Sequence, residues 1–123
     1  VGSVLYTKNL QVVNDIQNIL MTQSRLKIPA IVGTDIIHGF RTIHPIPLAQ
    51  SCSWNPDLVE QAARVSAIEG TTRGIRWAFA PMMDIARDSR WGRIAEGAGE
   101  DPYLGAKIGG AVVKGYQTAD PTD

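Results

Sequence analysis

The sequence predicts an α/β fold carried by parallel strands, and three observations predict it. Short, continuously apolar runs alternate with longer runs whose apolar residues recur at helical spacing. Asn or Asp followed by Pro opens two of the helical runs, a start signal suited to the unpaired N–H groups of a first helical turn. The connections are unequal: helix-to-strand links are short, Arg25–Pro29 and Gly74–Arg76, whereas strand-to-helix links are long, Thr34–Trp54 and Pro81–Glu100. The helices are long enough to cross between parallel strands, and long loops at the carboxyl ends of such strands are where binding and catalysis are built.

Each element has a local reason. Val4-Leu5-Tyr6 is a short apolar run and the first strand. Asn9 can accept from the first free N–H groups of a helix on which Leu10, Val13, Ile16 and Leu20 form one face. Pro29 punctuates, and Ala30-Ile31-Val32-Gly33 is apolar throughout, as expected of a strand covered on both faces. Asn55-Pro56-Asp57 places a cap, a proline at the first helical position and a carboxylate at the positive end of the helix dipole. Leu58, Val59, Ala62, Ala63 and Ile68 are the expected apolar face of that helix, and Gly74 is placed to end it. Trp77-Ala78-Phe79-Ala80 is the third strand, closed by Pro81. Asp101-Pro102 opens a helix through Leu104, Ile108, Val112 and Val113 towards Tyr116, followed by a polar exit loop, Ala119–Asp123.

Composition excludes several classes. A chain of 123 residues is one domain or less. With 44% hydrophobic and 20% charged residues it is neither a disordered tail, a collagen nor a coiled coil. Twelve Lys+Arg balance twelve Asp+Glu, leaving no bulk field to draw nucleic acid or an anionic membrane. Cys52 stands alone, which excludes an internal disulfide and a cysteine-rich zinc site. No apolar run approaches the roughly 20 residues that span a bilayer. Val1-Gly2-Ser3-Val4 has neither a basic leader region nor an initiator methionine, so the sequence is expected to begin inside a longer protein.

The polar residues that could carry chemistry fall in the two long loops. Asp35 follows an apolar strand, so its carboxylate is expected at the mouth of the fold. There it can accept from two neighbouring hydroxyls, as on a sugar ring, or cap a turn; spacing alone leaves both readings open. His38 and His44 lack the further ligands of a zinc motif, and His38 is expected to be a structural hydrogen-bonding residue. The second loop alternates Arg87, Asp88, Arg90, Arg93, Glu96 and Glu100 around Trp91. Most of Arg87, Arg90, Glu96 and Glu100 are expected to pair with one another and hold the loop shape. Trp91 is expected to anchor the loop rather than stack on a sugar. The glycines match no phosphate-binding pattern, which disfavours a nucleotide.

Lys27-Ile28-Pro29, Gly33-Thr34-Asp35-Ile36-Ile37-His38-Gly39, Ala80-Pro81-Met82-Met83-Asp84-Ile85-Ala86-Arg87-Asp88 and Arg90-Trp91-Gly92-Arg93, then Glu96-Gly97 and Gly99-Glu100-Asp101-Pro102-Tyr103-Leu104, resemble glycoside hydrolase family three. The likeness runs along essentially the whole chain, and its nearest form is that of bacterial periplasmic β-glucosidases. One departure is Ser89, where the family usually has proline before Arg-Trp-Gly-Arg. The resemblance implies a partial (β/α)₈ TIM-type barrel, about the first three strand–helix units. Residues 1–123 would then be an incomplete amino-terminal part of the barrel domain. It implies that Asp35 and Arg93 hold sugar hydroxyls, that Arg41 also reaches the sugar, and that Glu96 orients Arg93.

In the family a carboxylate nucleophile and a separate acid/base work with retention, and the resemblance places both beyond this chain. No residue here is therefore assigned as catalytic, and no metal or organic cofactor is expected. The implied parent is an exo-acting β-glucosidase taking a β-linked glucoside or oligosaccharide, with a periplasmic or secreted location. Two alternatives stand beside it. One is a parent with β-xylosidase specificity. The other is a non-catalytic fragment that self-associates through uncovered strand edges, or is completed by the remainder of the enzyme.

Overall fold

The computed structural model describes residues 2–6 and 9–118, so the expected exit loop at 119–123 lies outside the described residues. Three short strands, β1 (Ser3–Leu5), β2 (Ile31–Thr34) and β3 (Trp77–Ala78), form one parallel sheet in the order β1-β2-β3. Leu5 stands opposite Gly33, and Gly33 opposite Trp77. The helices are α1 (Leu10–Thr22), α2 (Pro47–Ser51), α3 (Pro56–Thr71) and α4 (Pro102–Tyr116), with a 3₁₀ turn at Ile94–Glu96. Strand and helix alternate as expected, but the strands are shifted by a residue and β3 covers only half of its apolar run.

The predicted helix starts are made by side chains. Asn9 Oδ1 accepts from Gln11 N at 3.0 Å, Asn55 Oδ1 from Leu58 N at 3.2 Å and Asp101 Oδ1 from Leu104 N at 2.6 Å. Beyond α3 the chain closes on Gly74, whose φ of +81° is left-handed. Its N–H donates to the Thr71 carbonyl at 3.0 Å, and Ile75 N–H donates to the Gly70 carbonyl at 3.1 Å. This is the paired bonding that terminates a helix on glycine. The α1 face is the expected one, with Val13 buried. The Gln17 amide then bonds both backbone groups of Ala30, stitching α1 to the start of β2.

Two expectations needed correction. The buried face of α3 is Val59, Ala63, Ser66, Ala67 and Gly70, whereas Leu58 and Ile68 are about half exposed. Small residues are required because α3 lies close against its neighbours. A Cβ at Gly70 would sit 3.0 Å from Ile36 Cδ1, and Ala63 faces Gly115 of α4. Val59, Ile108 and Ala111 form the core of this helix pair. The second correction is α2, five residues inside what the sequence suggested was an irregular loop. It is too short for a periodic pattern and has no side-chain cap, although Pro47 suits its first turn.

The sheet has one covered and one open face. Val32 is buried, while Leu5, Ile31 and Trp77, on the opposite face, are 66%, 52% and 51% exposed. Among the described residues no helix is long and apolar enough to cross a membrane.

Candidate functional site

Asp35 follows the last residue of β2, so strand direction fixes it at the carboxyl end of the sheet. The next residue, Ile36, is 2% exposed and its carbonyl accepts from the Tyr116 hydroxyl of α4. Burial pushes that phenol up to about 12, so it stays a donor at any ordinary pH. Asp35 itself is exposed on this held backbone.

Arg93 arrives from the loop after β3. Its Nε donates to Glu96 Oε1 at 3.0 Å and its Nη2 to Glu96 Oε2 at 2.7 Å, a two-pronged pair within one turn. Glu96 is held below the usual carboxylate range by that contact. The Arg93 guanidinium is pushed up, first by its bonds to Glu96, with the charges of Asp84 and Asp35 adding to the rise. Arg93 therefore lies within electrostatic reach of Asp35. Among the described residues its Nη1 has no acceptor, so that edge remains open to a ligand.

The two loops meet because α2 packs against the 3₁₀ turn that carries Glu96. Between them lies an open hollow whose wall includes Asp35, His38, Gly39, Ile43, Pro47 and Glu96. Thus the structure brings Asp35, His38, Glu96 and its partner Arg93 to one place. It does not bring Arg90 there: that side chain is 89% exposed and paired with Asp88, Nη2 to Oδ2 at 2.6 Å. In place of the expected network of Arg87, Arg90, Glu96 and Glu100, two separate pairs are seen in this loop among the described residues, Arg90–Asp88 and Arg93–Glu96. Trp91 is half-buried, and its N–H donates to the Asp88 carbonyl at 3.0 Å. Arg41 is exposed and outside the wall of the hollow; its charge acts on Glu69.

His38 is built into a tight hairpin. Gly39 bridges Ile43, His44 N–H donates to the His38 carbonyl at 2.8 Å, and His38 Nδ1 lies 3.0 Å from the His44 carbonyl oxygen. His38 thus hydrogen-bonds within its own hairpin. Among the described residues no cluster of three or more His, Cys, Asp or Glu is placed to hold a metal ion. Sequence reasoning missed Glu69 and Tyr116, whose partners lie 27 and 80 residues away.

The family model described as "Glycosyl hydrolase family 3 N terminal domain" matches residues 1–122. The chain belongs to glycosyl hydrolase family 3. A periplasmic β-glucosidase of Salmonella typhimurium is 43% identical over 123 residues, 100% of this chain and 16% of its own length. A β-xylosidase of Formosa agariphila is 33% identical over 103 residues, 76% of this chain and 14% of its own length. The crystal structure of a β-glucosidase from Listeria innocua in complex with isofagomine superposes with a TM-score of 0.92 at 44% identity. That match covers 96% of this chain and 16% of the other. The family match and this superposition make the strand–helix units part of a family 3 amino-terminal TIM-type barrel domain. The chain spans about a sixth of the length of the β-glucosidases it matches.

Proposed function

We propose that residues 1–123 are the amino-terminal part of the barrel domain of a retaining, exo-acting β-glucosidase, and that they supply one wall of its sugar subsite. The observation that carries the reading is the meeting of Asp35 with the Glu96-held Arg93 beside one hollow at the carboxyl ends of β2 and β3. Asp35 accepts from adjacent hydroxyls of the terminal glucosyl unit. The open Nη1 edge of Arg93 donates to a ring hydroxyl, while Glu96 occupies the other edge and fixes its plane. The two carboxylates of the double displacement come from outside this chain. This chain's share is therefore to bind and orient the sugar so that the anomeric carbon meets those groups. The remaining strands of the barrel cover the open Leu5–Ile31–Trp77 face, in place of self-association.

β-Xylosidase activity is the second reading, favoured by the Formosa agariphila relative. A xyloside lacks the hydroxymethyl group of a glucoside, so the two are separated by comparing p-nitrophenyl β-glucoside and β-xyloside. The complete enzyme is expected to favour the glucoside in kcat/KM, and the 123-residue chain alone to release no p-nitrophenol from either. Turnover by the chain alone that requires Asp35 would overturn the assignment of the catalytic carboxylates.

Arg93→Lys keeps the charge and loses the planar fork. It is expected to raise KM for the glucoside by about tenfold or more, while the melting temperature stays within about 2 °C of the parent. Equal damage to binding and folding would make Arg93 a loop-holding residue only.

A further inference from the structure

The hairpin at 38–44 forms one side of the hollow, yet its own bonds only hold its two arms to each other. Contacts on both of its sides tie it to the body of the domain. The Phe40 ring packs edge-on against Tyr6, with centroids 5.8 Å apart. On the other side, a single carboxylate of α3 takes three hydrogen bonds from the turn. Glu69 Oε2 accepts from Arg41 N at 2.8 Å and Thr42 N at 2.9 Å, and Glu69 Oε1 accepts from Thr42 Oγ1 at 2.7 Å.

We propose that Glu69 is a positioning residue of the sugar site, clamping the Arg41–Thr42 turn and through it the hairpin wall that faces Asp35. The inference rests on reading the hollow as the sugar subsite.

The route from Glu69 to the hollow is short and stiff. The Thr42 carbonyl backs directly onto Gly39, where an added Cβ would lie 2.0 Å from the Thr42 oxygen. Gly39 has φ +116° and lines the hollow beside His38 and Ile43. A turn released from Glu69 therefore carries Gly39 and its neighbours with it. The placement of Glu69 also runs against local preference. It lies in the last turn of α3, where the helix dipole disfavours an anion. The bonds from Thr42 and Arg41 outweigh this and hold its carboxyl below the usual range. An acid kept at a helix carboxyl end by two adjacent backbone N–H groups and a hydroxyl has the loop as its purpose rather than the helix.

The test uses the complete enzyme and p-nitrophenyl β-glucoside. Glu69→Ala is expected to raise KM by about tenfold with kcat within about twofold and the melting temperature within about 2 °C. Amide hydrogen exchange at residues 39–44 is expected to quicken. Thr42→Val is expected to move KM in the same direction by less, and Thr42→Ser to restore the parent value. Glu69→Gln keeps the shape of the side chain and loses its charge, so it reads effects of the same direction and smaller size if the alanine variant does not fold. Unchanged KM or unchanged exchange at 39–44 would overturn the clamp. So would a KM rise matched by lost thermal stability with no rescue by Thr42→Ser, because that is a structural role alone. Asp35→Ala with unchanged KM would instead remove the sugar-site reading, with the exchange difference at 39–44 persisting.

Discussion

Asp35→Ala in the complete enzyme is expected to lower kcat/KM on an aryl β-glucoside by about 10²–10⁴-fold. The magnitude follows from losing two charged-acceptor hydrogen bonds to neighbouring hydroxyls, each worth about 1.5–3 kcal/mol. The loss is expected to be functional rather than structural. Asp35 is exposed, while the backbone behind it is held by buried Ile36 and the Tyr116 hydroxyl. Truncating the side chain removes neither support, so the melting temperature should not change. Asp35→Asn keeps an acceptor of the same shape without the charge, and an intermediate loss of about tenfold is expected. Steady-state kinetics on the three proteins checks the series. An alanine variant as active as the parent would withdraw the carboxylate from the sugar site.

Gly115→Ala is expected to be the most destabilising methyl group that could be added to a glycine of α4. Its Cβ would lie 2.3 Å from the Glu60 carbonyl oxygen, 2.6 Å from Ala63 Cβ and 3.0 Å from Arg64 N. These are backbone and near-backbone atoms of α3, so no rotamer change relieves the contact and the two helices must separate. A cost of about 2–3 kcal/mol is expected. Gly110→Ala on the same helix is the control. Nothing lies within 4 Å of that Cβ, and the substitution is expected to stabilise by about 0.5–1 kcal/mol through helix propensity alone. Urea unfolding of both variants measures the difference, and effects of the same sign would refute the close-approach account. Residue 116 follows directly, so displacing α4 would also draw the tyrosine hydroxyl from the Ile36 carbonyl and loosen the support of Asp35.

Legibility divided along sequence distance. Asn9, Asn55 and Asp101 could be assigned as caps because each bonds an N–H only two or three residues ahead. Gly74 could be assigned because a left-handed residue after a helix is a local event. Asp35 and Arg93 stood out because one follows an apolar strand and the other lies in a motif of the family. The face of α3 was not legible. Leu58 and Ile68 are its more apolar residues, yet Ser66 and Gly70 are buried, because fit against α4 and Ile36 outweighs hydrophobicity where backbones approach closely.

By itself, then, the sequence determined the alternation of strands and long helices, where α1, α3 and α4 begin, the loops that bear the polar residues and the family. All of these are set within a few residues or by a contiguous motif. Only the tertiary structure decided that α2 would join the two loops, that Glu69 would hold the Arg41–Thr42 turn and that Tyr116 would hold the end of β2. It also decided that the Arg93–Glu96 pair would stand beside Asp35. Those contacts link residues tens of positions apart, and their geometry exists only once the helices have packed on the sheet.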